Sequence, residues 1–129
     1  MSYENLIGMT NAAEEFVTEK NMAVALGSGS LKVFATPALI RLIERAAAEL
    51  VEKNLPRELT SVGIALNVKH TAPTPLGMKV RAEVKIISVD GRKIIFEVIS
   101  SDARGEIGRG THERFIVDRE KFQRKADAK

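Results

Sequence analysis

The sequence of 129 residues contains no cysteine and no tryptophan, and it has only one tyrosine and five phenylalanines. Without cysteine, the fold cannot depend on disulfide bonds or on a thiolate metal site. So few aromatic rings provide little surface on which the bases of a single-stranded nucleic acid could stack. The sequence also has no apolar stretch near the roughly 18 residues that span a bilayer. These absences predict a protein that neither crosses a membrane nor binds nucleic acid.

Hydrophobic residues make up 44% of the chain, which is enough at this length to fill one core, so we predict one domain over residues 1–129. Lysine and arginine total 20 against 17 acidic residues, which gives a net charge of +3. This mild excess fits a partner that carries phosphates, but its dispersal along the chain argues against nucleic acid. The N-terminal segment lacks a basic region followed by an apolar one, so we expect a cytoplasmic protein.

The first third of the chain has a weak pattern. Residues 16–18 and 22–26 predict two short strands or one interrupted strand. Residues 27–30, Gly-Ser-Gly-Ser, predict a flexible turn. Thr36 is a favourable N-cap and Pro37 suits the first helical position, so a helix is predicted to begin at Thr36.

Residues 37–53 have the one strong helical pattern. Apolar residues recur at three- and four-residue steps, and the charged residues gather on the opposite face. Four long strands are predicted to follow, at residues 60–72, 78–89, 92–101 and 106–117. The closing residues 118–128 predict a short polar helix.

One long helix and four strands joined by tight turns predict an α+β domain with an antiparallel sheet. Asp90 and Gly91 predict a hairpin turn, and residues 102–105 predict another turn. Alternation along the first long strand predicts that four of its apolar residues face the helix: Val62, Ile64, Leu66 and Val68. One helix covers only one face of a sheet, so we predict a homodimer in which a second copy hides the remaining face or edge.

Glu44 is a charged residue within the apolar stripe of the helix. At about 100° per residue it falls in the same arc as Ile40, Ala47 and Val51. Two interpretations stay open. The carboxylate reaches solvent or an arginine from the edge of the stripe, or it is a partly buried nucleophile or general base.

Thr36 and His70 are two further candidates. The Thr36 hydroxyl can cap the helix, and the free N–H groups of the same helix end could hold a substrate carbonyl beside it. His70 has the same parity as Leu66 and Val68, which places it on the helix side near the end of its strand. It is either a core histidine or a catalytic base. The residues alone thus predict a dimeric α+β domain in which Thr, Glu and His could converge.

The second histidine, His112, has the opposite parity to Phe115 and Val117. The two histidines of the chain have no matched spacing, so no metal site is predicted. Residues 27–30 lack the lysine of a phosphate-binding loop, and no Gly-x-Ser-x-Gly motif occurs.

Several segments form a specific combination. Thr36, Glu44 and His70 are separated by 8 and 26 residues, and Gly-Thr-His-Glu-Arg occupies residues 110–114. Further parts are Ser61-Val-Gly63, residues 68–75, residues 89–93 and Phe122. This combination resembles the hotdog-fold thioesterases related to fluoroacetyl-CoA thioesterase, and the likeness runs from about residue 10 to residue 125.

The resemblance implies one long central helix wrapped by a curved antiparallel sheet, with two such units sharing a continuous sheet. Active sites would lie at the dimer interface, and association into a dimer of dimers stays open. The reaction would be hydrolysis of an acyl-CoA to a free acid and coenzyme A. A thioester carbonyl is electrophilic enough to need only an oriented nucleophile and an oxyanion donor, so no metal or cofactor is required.

By the same resemblance, Thr36 and His70 would orient the acyl group and polarise the reacting centre, and His70 would assist proton transfer. Glu44 would either attack the thioester to form a transient anhydride or activate a water, and both routes stay open. The backbone N–H of Gly63 would donate to the thioester oxygen, because the missing side chain allows close approach. Arg114 would contact the ligand or form a structural salt bridge.

The segment before Phe-Ala-Thr departs from the fluoroacetyl-specific members of this family, which carry a longer lid that contains phenylalanine. Here residues 26–33 are shorter and rich in glycine and serine. We therefore expect a more open site for another short or medium acyl-CoA, with residues 27–30 at its mouth.

The main alternative function is that of a non-catalytic hotdog domain that binds an acyl-CoA or an acyl acid. The presence of all three polar residues argues against it. Hydration or dehydration of an acyl-CoA would need a differently placed Asp/His pair, which the sequence does not show.

Overall fold

The computed structural model describes residues 2–129. Over that range the chain forms the following helices and strands in order: β1 (Thr10–Phe16), α1 (Ala23–Leu26), α2 (Thr36–Glu52), β2 (Leu59–His70), β3 (Lys79–Asp90), β4 (Lys93–Asp102), β5 (Gly105–Asp118) and α3 (Arg119–Asp127). A single 3-10 turn, Glu4–Leu6, precedes β1. No helix within residues 2–129 is both long and apolar enough to cross a membrane.

The strands that the structure describes form one antiparallel sheet in the order β1-β3-β4-β5-β2. The hairpin between β3 and β4 closes where Asp90 pairs with Lys93. Gly91 in this turn has a φ of 61°, a left-handed conformation that glycine adopts without steric cost. The predicted hairpin is therefore confirmed, and β1 and β2 are left as the two edge strands.

Helix α2 packs its apolar face against one face of this sheet, with contacts to β1, β2 and β3. The buried residues recur at the predicted three- and four-residue steps: Ala38, Leu39, Leu42, Ile43, Ala46, Ala47, Leu50 and Val51. Inward side chains of β3 and β4 form much of the sheet side of the core: Val80, Ala82, Val84, Ile86, Ile94, Phe96 and Val98. The long helix and the four long strands agree with the sequence-based prediction.

The N-terminal part differs from the prediction. Residues 22–26 were expected to be extended, but Ala23–Leu26 is a short helix, α1. Gly27 closes it in the left-handed conformation at a φ of 71°, where its N–H donates to the carbonyl of Ala23. The first strand covers Thr10–Phe16 and thus lies earlier than residues 16–18. Its alternation was hard to detect because Phe16 is the one large apolar residue of this strand and Ala13 is its one buried residue.

The prediction that Val62 and Ile64 face the helix is wrong, and a β-bulge explains the difference. Gly63 pairs with Arg114 on β5, but the next pair joins Ala65 to Glu113, which leaves Ile64 as an extra residue that is 50% exposed. One extra residue reverses the side-chain alternation. Ser61 and Gly63 therefore face the helix before the bulge.

After the bulge, Leu66, Val68 and His70 face the helix, as predicted. The closing helix α3 also follows the prediction. Asp118 caps it, since a carboxylate oxygen accepts a hydrogen bond of 2.9 Å from the Lys121 N–H.

Truncating Leu42 to alanine should lower the free energy of unfolding by about 2–5 kcal/mol, because this residue is 1% exposed between α2 and the sheet. Leu31→Ala is the matched control, since Leu31 is 69% exposed and should change the value by less than about 0.5 kcal/mol. Urea denaturation measures both variants. Equal losses would contradict the assignment of the α2 face to the core.

Candidate active site

Thr36 and His70 lie together where the start of α2 meets the end of β2. The Thr36 hydroxyl oxygen is 2.8 Å from Nδ1 of His70. The N-cap residue of α2 is Ala35, and no side chain caps this helix end. Thr36 is therefore the first helical residue and not the N-cap, and its hydroxyl bonds to the histidine. We call these two residues the Thr36–His70 pair.

A cavity of about 240 Å³ opens beside the Thr36–His70 pair. Its wall includes Phe34, Ser28 of the turn after α1, and Ala72 of the segment after β2. The Gly-Ser turn thus borders the cavity at which the hydroxyl and the imidazole meet. A small acyl group could reach both polar side chains from this opening.

Glu44 lies in a different group of residues. Its carboxylate Oε2 is 3.3 Å from an Arg114 guanidinium nitrogen, and 41% of its side chain is exposed. The Arg114 side chain is only 7% exposed; its Nε donates to the Ser61 hydroxyl at 2.8 Å, and its other terminal nitrogen donates to the Ser61 carbonyl at 3.1 Å. This geometry matches the interpretation in which Glu44 pairs with an arginine at the edge of the apolar stripe.

His112 belongs to the same group and is fully buried. Its Nδ1–H donates to the carbonyl of Ala65 at 2.9 Å, and Nε2 accepts from the Arg114 guanidinium at 3.3 Å. Its ring stacks on Phe96 at a centroid distance of 5.8 Å. Both ring nitrogens are occupied only if the imidazole is neutral, because Nε2 must act as an acceptor.

Sequence reasoning assigned no role to His112 or Ser61. The signal that could have found His112 was its position on β5: His112 and Arg114 are two residues apart, with Glu113 between them, so both side chains lie on the inward face of the sheet. The bulge at Ile64 concealed Ser61, because the assumed alternation placed it away from the helix. We call Glu44, Ser61, Gly63, His112 and Arg114 the Glu44 cluster.

Gly63 lies at the centre of the Glu44 cluster. A Cβ at this position would be 2.3 Å from Glu44 Oε2, 3.2 Å from the Arg114 guanidinium and 3.3 Å from the His112 ring. No side chain fits there while the carboxylate keeps its place. The spatial requirement for glycine therefore comes from the carboxylate, and it holds a charged oxygen close to the backbone of an edge strand.

The structure does not bring Thr36, Glu44 and His70 together within one chain. Thr36 and Glu44 are eight residues apart on α2, which corresponds to about 12 Å along a helix axis. Gly63 and His70 are likewise separated by seven residues of β2. One chain thus carries two groups, the Thr36–His70 pair and the Glu44 cluster, at different positions along the same helix and strand.

Burial affects both histidines and the arginine. It lowers the pKa of His70 below the ordinary value, although the nearby Ala72 backbone acts in the opposite direction. Burial also lowers the pKa of His112, against the raising effect of the Ala65 carbonyl. The pKa of Arg114 is lowered by burial and partly restored by Glu44, and its guanidinium stays protonated.

The sequence matches the family model described as fluoroacetyl-CoA-specific thioesterase over residues 17–120. A fluoroacetyl-CoA thioesterase from Streptantibioticus cattleyicolor is 39% identical to the chain over 98 residues, which make up 76% of this chain and 70% of that protein. The range of the family model includes the Thr36–His70 pair and the Glu44 cluster.

Solved structures show the same architecture. The fluoroacetyl-CoA thioesterase FlK superposes with a TM-score of 0.88 at 32% identity, covering 95% of this chain and 96% of that chain. A hot-dog-like protein from Thermanaerovibrio acidaminovorans superposes with a TM-score of 0.89 at 22% identity, covering 98% and 95%. The expected α+β hotdog fold, a long helix against a curled antiparallel sheet, is thereby confirmed.

The lowered histidine pKa values predict that stability falls in mild acid. The unfolded chain binds protons at the ordinary histidine pKa of 6.5, and the folded chain binds them only at lower pH. The histidine contribution to the free energy of unfolding is therefore complete above pH 6.5 and decreases as the pH falls below it. Carboxylates with a lowered pKa add losses only below their ordinary value of 4.5.

Urea denaturation between pH 7 and about pH 5 measures this decrease, and NMR titration of the two imidazoles assigns it. The His112→Gln variant, which keeps a polar side chain without the titration, should show a smaller decrease. A titration midpoint at or above 6.5 for either ring would contradict the prediction.

Proposed function

The chain belongs to the fluoroacetyl-CoA-specific thioesterase family, and we propose that it hydrolyses an acyl-CoA thioester to a carboxylic acid and coenzyme A. The observation that carries this proposal is the 2.8 Å contact between the Thr36 hydroxyl and the His70 imidazole at the wall of an open cavity. A hydroxyl bonded to an imidazole can orient a carbonyl and transfer a proton. The Glu44 carboxylate supplies the second chemical group.

We propose that the active site is composite and forms between two copies of the chain. Edge strands expose unpaired backbone groups, and β2 can pair with β2 of a second copy to continue the sheet. A two-fold axis between Leu66 and Asn67 places Gly63 of one copy opposite His70 of the other. The Glu44 cluster of each copy then faces the Thr36–His70 pair of its partner, and two identical sites result.

In this site the thioester carbonyl oxygen accepts a hydrogen bond from the Gly63 N–H, which stabilises the oxyanion as the carbonyl is attacked. The Arg114 guanidinium, fixed by both its bonds to Ser61, holds the Glu44 carboxylate beside that carbonyl. Thr36 and His70 approach from the other copy and contact the acyl group. The carbon–sulfur bond then breaks, and the thiolate of coenzyme A takes up a proton.

Glu44 can act in two ways in this geometry. Its carboxylate attacks the acyl carbon to form an anhydride that water then hydrolyses, or it takes a proton from a water that attacks the carbon directly. In both routes the net reaction consumes one water and releases a carboxylic acid and a thiol. The exposed fraction of its side chain, 41%, leaves the carboxylate accessible to either an acyl group or a water.

The segment over the cavity suggests a substrate other than fluoroacetyl-CoA. It contains the short helix α1 and the Gly-Ser turn, and its apolar side chains Val24, Leu26 and Leu31 are 49%, 41% and 69% exposed. A short, open cover leaves room for acyl groups larger than the smallest ones, and its exposed apolar residues favour contact with the methylene groups of such a chain. We therefore propose a short or medium acyl-CoA as the substrate.

The proposal predicts release of free thiol from at least one member of an acyl-CoA panel from acetyl to medium-chain and aryl groups. Glu44→Gln, Thr36→Ala and His70→Ala should each lower the rate by about 10² or more, the effect expected for a catalytic group. Glu49→Gln is the matched control, because Glu49 is a solvent-exposed carboxylate on the same helix that pairs with Arg45 alone among residues 2–129. Its rate should stay near that of the wild type.

If the wild-type protein hydrolyses no member of the panel but an acyl-CoA raises its melting temperature, the alternative function of a non-catalytic acyl-CoA-binding domain is favoured. Hydrolysis that the three variants leave unchanged would locate the reaction elsewhere on the chain.

The composite site predicts that two inactive variants complement each other. Mixed dimers of Thr36→Ala and Glu44→Gln contain one site in which both residues are wild type, so random subunit exchange should restore about a quarter of the wild-type rate. Mixing Thr36→Ala with His70→Ala is the control, because both changes lie in the same half of the site. If neither mixture hydrolyses acyl-CoA although mass spectrometry verifies subunit exchange, the composite arrangement is wrong.

A further inference from the structure

Two side-chain atoms within residues 2–129 are buried without a hydrogen-bond partner: Nε2 of His70 and Oγ of Ser100. Ser100 lies on β4 and is fully buried. The bond between Thr36 and Nδ1 therefore accounts for only one of the two ring nitrogens of His70. A buried polar atom without a partner is destabilising, so the existence of two such atoms calls for an explanation.

Strand pairing places these two residues on either side of the same glycine. Ser100 pairs with Gly108 between β4 and β5, and His70 pairs with Gly108 between β2 and β5. Residues directly opposite each other in an antiparallel sheet have their side chains on the same face. Ser100 and His70 thus face the helix side in one row, and the residue between them has no side chain.

The glycines of β5 also allow the backbone of β2 to approach β5 closely. A Cβ on Gly108 would be 2.4 Å from the Lys69 carbonyl oxygen and 3.4 Å from the Cα of His70. A Cβ on Gly110 would be 2.0 Å from the Asn67 carbonyl oxygen. Any side chain at either position would push the end of β2 away. Glycine at Gly108 therefore lets His70 approach β4.

The same row contains only small residues on the far side of Ser100. Ser100 pairs with Ala82 of β3, and Ala82 pairs with Ala13 of β1. Both alanines are buried and add little volume beside the serine hydroxyl. Neither alanine offers the serine hydroxyl a polar partner on that side, and a buried water that bonds to two such polar groups is a common way of satisfying them.

We propose that Ser100 is a positioning residue for His70: one buried water accepts the hydrogen of Nε2 and donates to the serine hydroxyl. This bond fixes the tautomer in which Nε2 carries the hydrogen. The lone pair of Nδ1 then accepts the Thr36 hydroxyl hydrogen, so both ring nitrogens have partners. The inference rests on the proposed function for its effect on hydrolysis, although the tautomer can be observed without any substrate.

Fixing the tautomer determines how a proton can move. In the anhydride route, when a water attacks the acyl carbon of the anhydride, Thr36 can take its proton while giving its own to Nδ1, which leaves an imidazolium ion and frees the Glu44 carboxylate. The hydrogen on Nε2 stays bonded toward Ser100 throughout, and the Nδ1 proton later goes to the thiolate of the leaving coenzyme A. A base held by a third group is the arrangement by which enzymes keep an imidazole in the productive tautomer.

The test compares Ser100→Thr with Ser100→Val, two substitutions of equal size that differ in the hydroxyl. Nitrogen-15 NMR of the imidazole rings should show the Nε2–H tautomer of His70 in the wild type and in Ser100→Thr. Ser100→Val should show a mixture of tautomers and a kcat lowered about tenfold or more, with KM within about twofold. The ring of His112, bonded to Ala65, is the internal control and should not change.

The Ala72 backbone is the competing partner for His70. If it holds the tautomer, Ser100→Val leaves both the nitrogen-15 spectrum and kcat unchanged, and the role of Ser100 is overturned. Should the larger side chains prevent folding, Ser100→Ala removes the hydroxyl without adding volume, and the same two measurements decide. A tautomer change in a protein that hydrolyses no acyl-CoA would support the positioning role and reject the proposed function instead.

Gly108→Ala tests the approach of the strand separately from the hydroxyl. The added Cβ conflicts with the Lys69 carbonyl, so β2 should shift and the nitrogen-15 signals of His70 should lose the pattern of the Thr36 bond. A Gly108→Ala variant that folds with an unchanged His70 spectrum would contradict the role of the glycine.

Discussion

The burial of the apolar face of α2 against the sheet is the constraint on which the other features depend. Ala47 and Val51 are fully buried, so the helix can neither rotate nor slide without exposing apolar surface. Its fixed orientation determines where each polar residue lies. Thr36 lies at the end of β2, and Glu44 lies over Gly63. The two helical positions are about 12 Å apart along the axis of α2. The division of the polar residues into two groups is thus a result of core packing.

Period-based reasoning predicted the features that depend on repetition over many residues. The α2 pattern, the long strands and the left-handed glycine of the Asp-Gly turn all agree with the structure. It failed at Ile64, because a bulge is a single extra residue that leaves no periodic signal. It also failed for residues 22–26, where a few apolar residues fit a helix turn and a strand equally well.

The candidate residues themselves were predictable, but their partners were not. Thr36 and His70 are 34 positions apart, and Glu44 and Arg114 are 70 positions apart. No local pattern pairs residues over such distances without knowledge of the sheet register. The register also placed His112 and Ser61 beside Arg114, where they surround a buried guanidinium with oxygen and nitrogen acceptors. A buried charge requires such partners, so these neighbours form one unit with the arginine.

The two edges of the sheet differ in a way that limits how far the protein can assemble. Strand β2 has 12 residues, whereas β1 has only seven and carries Glu14, which pairs with Lys79 and Arg81. Short strands and charged side chains discourage the addition of another strand. In the proposed dimer the long edge is consumed by pairing, and only the short, charged edge remains. Edge-to-edge addition of further copies is therefore disfavoured beyond the dimer, and the sheet does not extend into a fibre.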